Sequence, residues 1–267
     1  MDSNNPRLLA VEEYGQVIDL LESFVVLVLR RFLQHEFSLQ TKDSILRNFL
    51  SRMAVSLRSI MVLFKEEDFH NCWVILRCVI DRLIHIGYLQ RTNSFEEFEK
   101  WSLMERYKYL HKIKSDVGNR SKFDKGFKEA HDFFASIVSK LDKSEIQWHR
   151  PRARETAKQM GLDFIYHYGY DHASTFVHPL ADEGFTDFER LMHLPRLSQG
   201  ANPVIVLQNS CFAGLLTLRH SLSASSLSWK SDYLLLLDNL MRYSGTGNLH
   251  LIEKARVILA NLGSSPA

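Results

Sequence analysis

The chain has 267 residues, 45% of them apolar and 24% charged, with a formal net charge of +2. That balance allows a core of real size in one large domain or two small ones, and it gives no global charge argument for nucleic acid. Six prolines and twelve glycines are few for this length, which favours long helices over short strands and turns.

From Leu8 to about Leu39 the apolar residues recur at three and four. Leu9, Val17, Leu20, Leu21, Phe24, Leu27 and Val28 line one face of a long helix. Its most apolar run, Phe24 to Leu29, is cut at once by Arg30 and Arg31, far short of the ~20 residues a membrane span takes. A second helix starts with Thr41 or Asp43 as N-cap and runs to about Glu66. A third, the most apolar of the first half, spans about Phe69 to Arg91. "SFEEFEKWSLMERYKYLHKIK" opens on Ser94 and Glu97 at capping-box spacing. "SKFDKGFKEAHDFFASIVSKL" continues as an amphipathic helix. After a loop around Trp148, a short helix follows Pro151 and stops at Gly161. The next helix spans "LDFIYHYGYDHASTFVH" and ends at Pro179. Residues 179–203 read as connection with one helical turn, and Pro203 starts "VIVLQNSCFAGLLTLRHSL". "SWKSDYLLLLDNLMRY" and "LHLIEKARVILANL" close the fold across an "SGTGN" turn. No stretch alternates as a strand does. The expectation is an all-α fold: a single bundle-like domain of about eight or nine helices over residues 1–262, with 263–267 as a loose tail.

Three cysteines, Cys72, Cys78 and Cys211, cannot all pair, and "MDSNNPRLLAVEEYGQ" lacks the basic-then-apolar order of a secretion signal. Both point to a reducing cytoplasm and to no membrane association.

Two polar stripes stand out. Arg77, Asp81 and His85 are spaced by four on the apolar third helix, so they share a face. A charge there is costly unless paired. Arg77 and Asp81 can pair as an internal brace of the packing, or the stripe can face a polar pocket. His167, Asp171, Ser174 and His178 are spaced four, three, four, where a simple core face would be apolar. Tyr166, Tyr170 and Phe176 sit elsewhere on that helix. The second stripe reads as a hydrogen-bonded cluster meeting Arg77 and Asp81, or as a solvated face. In the first case a His can act as general acid or base, an Arg can stabilise a developing anion, and a Ser can orient a phosphate or a water.

Metal and nucleotide-loop motifs are weak. Glu67 and His70 form one Glu-x-x-His pair with no second, and no Walker loop, G-x-S-x-G or Rossmann glycine pattern appears. No cofactor is expected. Local charge is more informative. Arg106 to Lys128 holds eight Lys or Arg against Asp116 and Asp124, with Tyr107, Tyr109, Phe123 and Phe127 interleaved, and Arg150, Arg152, Arg154 and Lys158 follow. Basic stretches with aromatics suit phosphate backbones and stacked bases; they are also what a solvated helix face looks like.

"ILRCVIDRLIHIGYL" and "RARETAKQMGLDFIYHYGYDHASTFVHP" resemble, over roughly residues 45 to 220, an uncharacterised bacterial family of all-helical proteins. Its pattern falls here on Arg77, Asp81, Tyr88 and Leu89, on Arg154, Ala157 and Gly161, on Tyr166 or Tyr170, and on Ser174, Val177 and His178. The acidic position is more often Glu in that family. The family in turn is similar to HEPN-type helical proteins, many of them ribonuclease toxins or phage-defence effectors that dimerise. Their signature is an Arg, a polar residue, and a His four to six residues beyond the Arg. Arg106 to His111 and Arg30 to His35 have that spacing, but Tyr107 and Arg31 stand where Asn, Asp or His is usual.

The resemblance implies a phage-defence or abortive-infection effector acting on RNA or nucleotides, a metal-independent ribonuclease. Arg77 would hold phosphate, Asp81 would orient a partner group, and Ser174 and His178 would complete the catalytic set. Tyr170, His85, His167, Asp171, Arg150, Arg152 and Arg154 would bind. The partners so implied are RNA or a nucleotide, a second copy of the chain, and a defence-system protein. The other reading is a non-catalytic helical sensor or scaffold for a nucleotide, a phage component or a partner protein.

Overall fold

A computed structural model describes residues 6–34, 39–116, 125–141, 146, 148–178, 184–193, 203–228, 230–246 and 249–264. All regular structure among them is helical: α1 (Pro6–Gln34), α2 (Thr41–Lys65), α3 (Phe69–Thr92), α4 (Phe95–Ser115), α5 (Lys125–Val138) and α6 (Ala153–Gln159) come first. There follow α7 (Asp163–Ile165), a π-helical segment π1 (Tyr166–Asp171) and α8 (His172–Ser174), which run on as one helix. Then come α9 (Phe185–Leu191), α10 (Val204–Ala224), α11 (Lys230–Thr246) and α12 (Leu249–Ser264). With α7, π1 and α8 counted as one, the described residues form eleven helices, close to the eight or nine expected. None is long and apolar enough to cross a membrane.

The core is built from α1, α2, α3 and α10. The apolar face read from the periodicity of α1 is the buried one: Val17, Leu20, Leu21, Phe24 and Val28 are inside, joined by Phe32. They meet Leu50, Met53, Leu57 and Ile60 of α2 and Leu76, Val79 and Ile80 of α3. The centre is α10, which packs on α1, α2, α3 and α11. Gly214 is why it fits there. A Cβ at that position would lie 2.5 Å from a methyl of Leu21 and 2.9 Å from one of Leu57. Three buried hydroxyls of α10 are satisfied by its own backbone. Ser210, Thr217 and Ser221 donate to the carbonyls of Val206, Ala213 and Thr217, four residues back, at 2.6, 2.7 and 2.8 Å.

A second, smaller core forms where α4 crosses α2 and α3. Trp148 enters it from the segment before α6, its ring centre 4.6 Å from Trp101 and 4.8 Å from Phe98. What reads in sequence as a loop around a tryptophan is a loop pinned by that tryptophan. The indole also meets His85 and Tyr88 of α3, at 6.1 and 6.3 Å between ring centres.

Several boundaries differ from the sequence reading. The N-cap position of α2 is Gln40, not Thr41 or Asp43. Asp43 is buried in the first turn and accepts from the backbone N–H of Ser226 at 2.9 Å, tying down the exit of α10. Ser94 and Glu97 form no capping box. Ser94 makes no side-chain cap bond, and its hydroxyl pairs with that of Thr92 at 2.6 Å. α3 is capped by Asp68, whose carboxylate accepts from Asn71 N–H at 3.2 Å, and ends at Asn93 in the left-handed region. α1 ends at Gln34, and residues 35–38 lie outside the described ones. The expected "SGTGN" turn is helical in α11 through Thr246, with 247 and 248 outside the described residues. α12 carries helix through Ser264, past the expected end at 262.

Candidate functional site

Helix α3, which carries Arg77, Asp81 and His85, is packed by α6, π1 and α8. Gly161, with φ of 69°, ends α6 and turns the chain back along α3. The π segment then sets which residues face inward. A π turn carries an extra residue, so a line drawn at α spacing slips around the axis. Ile165, Gly169 and Ala173 are the buried positions, with Tyr166, Tyr170 and Ser174 half-buried beside them. Gly169 presses its backbone on α3, where a Cβ would stand 2.7 Å from Ile80 Cδ1. The expected stripe of His167, Asp171, Ser174 and His178 is therefore not one inner face. His167, Asp171 and His178 are exposed, and Ser174 alone of the four turns toward α3.

Arg77 is the residue that joins the two helices. Its Nε donates to Ser174 Oγ at 3.0 Å and its Nη2 to the Tyr170 hydroxyl at 3.3 Å, while the guanidinium carbon lies 4.9 Å from the Tyr170 ring centre. Ser174 Oγ in turn donates to the Tyr170 carbonyl at 2.7 Å. Tyr166 stacks on Tyr170 at 5.5 Å. The expected Arg77–Asp81 ion pair does not form. Arg77 is held across the helix interface by hydroxyls instead, and among the described residues no carboxylate lies within ion-pair distance of it.

Asp81 is one turn further along α3, its side chain 33% exposed. Burial raises the Tyr170 phenol above its ordinary value, and the charge of Asp81 pushes it the same way; Arg77 and, more weakly, Arg150 pull it back. Asp81 and Arg150 thus share the neighbourhood of that hydroxyl. His85 is buried, its Nδ1 2.7 Å from the Asp81 carbonyl and 3.8 Å from Asp81 Oδ1. A carbonyl only accepts, so Nδ1 carries the hydrogen. The ring borders Phe98 and Trp148.

The other expected binding residues are dispersed. Arg150, Arg152 and Arg154 are exposed, and Arg152 pairs with Glu155 at 3.0 Å. In the basic stretch of α4 and α5, Lys108 pairs with Glu105 at 2.8 Å and Lys125 with Glu129 at 3.7 Å. Arg106 lies over the Phe134 ring at 5.9 Å, and His111 stacks on Tyr107 at 5.4 Å. Arg120, Lys122, Phe123 and Asp124 of that stretch, and His35, fall outside the described residues.

An aromatic group next to Arg77 is absent from the sequence reading. Trp73 stacks on Phe176 at 5.8 Å and meets the edge of His172 at 4.5 Å, with His70 on the other side of Phe176 at 5.5 Å. The signal was available: Trp73 precedes Arg77 by four residues, on the same stripe of α3. Among the described residues no three His, Cys, Asp or Glu side chains are grouped to hold a metal ion.

The arrangement presents a half-buried cation whose outer edge has no partner among the described residues, a hydroxyl pair, and a carboxylate one turn away. Such a set binds an oxyanion and positions a second polar group beside it. The pattern of a family of unknown function, DUF5677, matches residues 43–190, which include all of these groups. No curated protein and no solved structure matches the chain.

Proposed function

We propose that this chain, which belongs to the DUF5677 family of unknown function, is an effector that acts on RNA or nucleotides and holds their phosphate at Arg77. The observation that carries the reading is the state of Arg77 itself. A guanidinium brought half out of water ordinarily takes a carboxylate partner, because burying an unpaired charge is costly. Arg77 passes over the Asp81 carboxylate one turn away and is steered by Ser174 and Tyr170 instead. Its Nη1 has no partner among the described residues and can take a ligand oxyanion, in a direction fixed by the other two nitrogens.

The resemblance to HEPN-type helical proteins extends this to a metal-independent endoribonuclease of phage defence or abortive infection, working as a dimer. In that scheme Arg77 stabilises the charge that develops on phosphate, Asp81 orients the partner group, and Ser174 fixes the guanidinium. His178, exposed one turn beyond Ser174, transfers the proton. A second reading has its own support. Neither His178 nor His167 touches Arg77, so the contacts around Arg77 can bind an anion without an acid or base in place. A sensor or scaffold that recognises a nucleotide, phage component or partner protein needs no more than that.

Induced expression in a bacterial host separates the two. Wild type, Arg77→Ala and His178→Ala are compared for growth, with total RNA run alongside and purified protein digested against RNA in EDTA. The effector reading expects arrest and discrete RNA fragments, both lost in either variant. Normal growth and intact RNA, with a nucleotide-induced rise in melting temperature that Arg77→Ala removes, would establish the sensor.

A further inference from the structure

Beside Arg77, two polar groups have capacity the chain does not use. The Tyr170 hydroxyl accepts from Arg77 Nη2 at 3.3 Å, and its own proton reaches no acceptor among the described residues. The Asp81 carboxylate accepts no hydrogen bond among them either. The Nδ1 of His85 is 3.8 Å from Oδ1 and is already turned to the Asp81 carbonyl at 2.7 Å. Tyr170 still has a proton to give, and a carboxylate can only accept one. They make no hydrogen bond with each other. A ligand hydroxyl placed between them would accept from Tyr170 and donate to Asp81, which stands one turn along α3 from the Arg77 that bonds Tyr170. Arg77 adds the neighbouring requirement. Its Nε is taken by Ser174 and one Nη by Tyr170, which leaves the outer edge for a single oxyanion.

We infer that the site reads a phosphate ester with a hydroxyl on the adjoining carbon, Arg77 holding the phosphate and Asp81 with Tyr170 reading the hydroxyl. This rests on the phosphate reading of Arg77 given above. A ribonucleotide carries that chemistry, free or within RNA, and the deoxy form lacks it. Selectivity has two sources. The hydroxyl satisfies a donor and an acceptor together, and without it the Asp81 carboxylate faces the incoming phosphate with nothing to offset the repulsion. The same placement explains why an Asp one turn from an Arg is left without it. A closed pair would present neither the cation nor the acceptor.

The test is calorimetric titration with a ribonucleoside 3′-monophosphate and its 2′-deoxy counterpart, and anisotropy with labelled RNA and DNA of one sequence. Proteins are wild type, Asp81→Ala, Asp81→Asn, Tyr170→Phe and Arg77→Ala, each first shown to melt cooperatively. Wild type is expected to prefer the ribo form by roughly tenfold or more. Asp81→Ala brings that ratio close to one, weakening the ribo ligand and relieving the repulsion on the deoxy one, while Asp81→Asn and Tyr170→Phe each retain part of it. Preference among oligomers alone identifies RNA as the source, and preference among the mononucleotides as well identifies the free nucleotide. A ratio unchanged in both Asp81→Ala and Tyr170→Phe overturns the hydroxyl pair alone. Binding of both ligand types by Arg77→Ala at wild-type strength, or of neither by wild type, removes the phosphate reading and this inference with it.

Discussion

Helix α10 and the α3–π1 interface use the same kinds of residue to opposite ends. On α10 the hydroxyls of Ser210, Thr217 and Ser221 donate to carbonyls four residues back and go no further. On π1 and α8, Ser174 makes that same backbone bond and also accepts from Arg77. One additional acceptor role turns a satisfied core hydroxyl into a bridge between helices, and the cation it steers becomes available to a ligand. A buried hydroxyl is thus structural or functional according to what approaches its second lone pair, and its own helix does not decide that.

The largest effect expected is on α10. Gly214→Leu forces a side chain into the space held by Leu21 and Leu57. Overpacking of this kind costs about 1–3 kcal/mol, a fall in melting temperature of roughly 2–6 °C by calorimetry. Phosphate binding at Arg77 should survive. If it were lost, the two regions would not be separable as described here.

Next comes the end of α10. Asp43→Ala leaves the Ser226 N–H without its acceptor, at about 1–3 kcal/mol in chemical denaturation. Asp43→Asn keeps an acceptor oxygen and should recover most of that.

A matched pair sharpens the contrast. Ser221→Ala removes a local bond only, and should change stability by less than about 1 kcal/mol and leave anion binding as it was. Ser174→Ala should cost about the same in stability but weaken binding several-fold, since Arg77 loses the acceptor that aims its Nε. Equal binding in the two variants would contradict the bridge role of Ser174.

Smallest is a pH effect confined to α10. Burial, and then the neighbouring Arg219, hold the His220 imidazole below its ordinary value. The folded state favours the neutral ring, so its contribution is full above the ordinary histidine value near 6.5 and is lost as pH falls through the lower folded value. Melting at pH 7.5 and 5.5 should show a drop that His220→Gln reduces.

Chemical reactivity offers an independent check on burial. Desolvation raises the Cys72 thiol to about 12, with Asp68 adding to the effect, and burial raises Cys211 as well. Under native conditions at pH 8 iodoacetamide should label Cys78, which is exposed, and spare the other two. Intact mass would show one adduct, and three after unfolding.

The helical class and the inner face of α1 were legible in the residues, because spacing at three and four is a local property. So was the stop at Gly161, which adopts the left-handed backbone its type favours. The capping box at Ser94 and the N-cap at Asp43 were misread for a common reason. A side chain suited to a local backbone bond found another partner: Thr92 for one, the distant Ser226 for the other. The polar stripe on the later helix failed differently. It assumed 3.6 residues per turn as far as His178, whereas π1 puts His167 and Asp171 out of line with Ser174, and the helix ends at Ser174, before His178.

Which residues are helical, which face is apolar, and that Arg77 and Asp81 share a side of α3 follow from the order of residues alone, since each depends on neighbours within a turn or two. That Arg77 takes Ser174 and Tyr170 over Asp81 was decided only by tertiary structure. The choice lies between a carboxylate four residues away and hydroxyls more than ninety residues away, and packing of π1 through Gly169 against Ile80 is what brings the second set within reach.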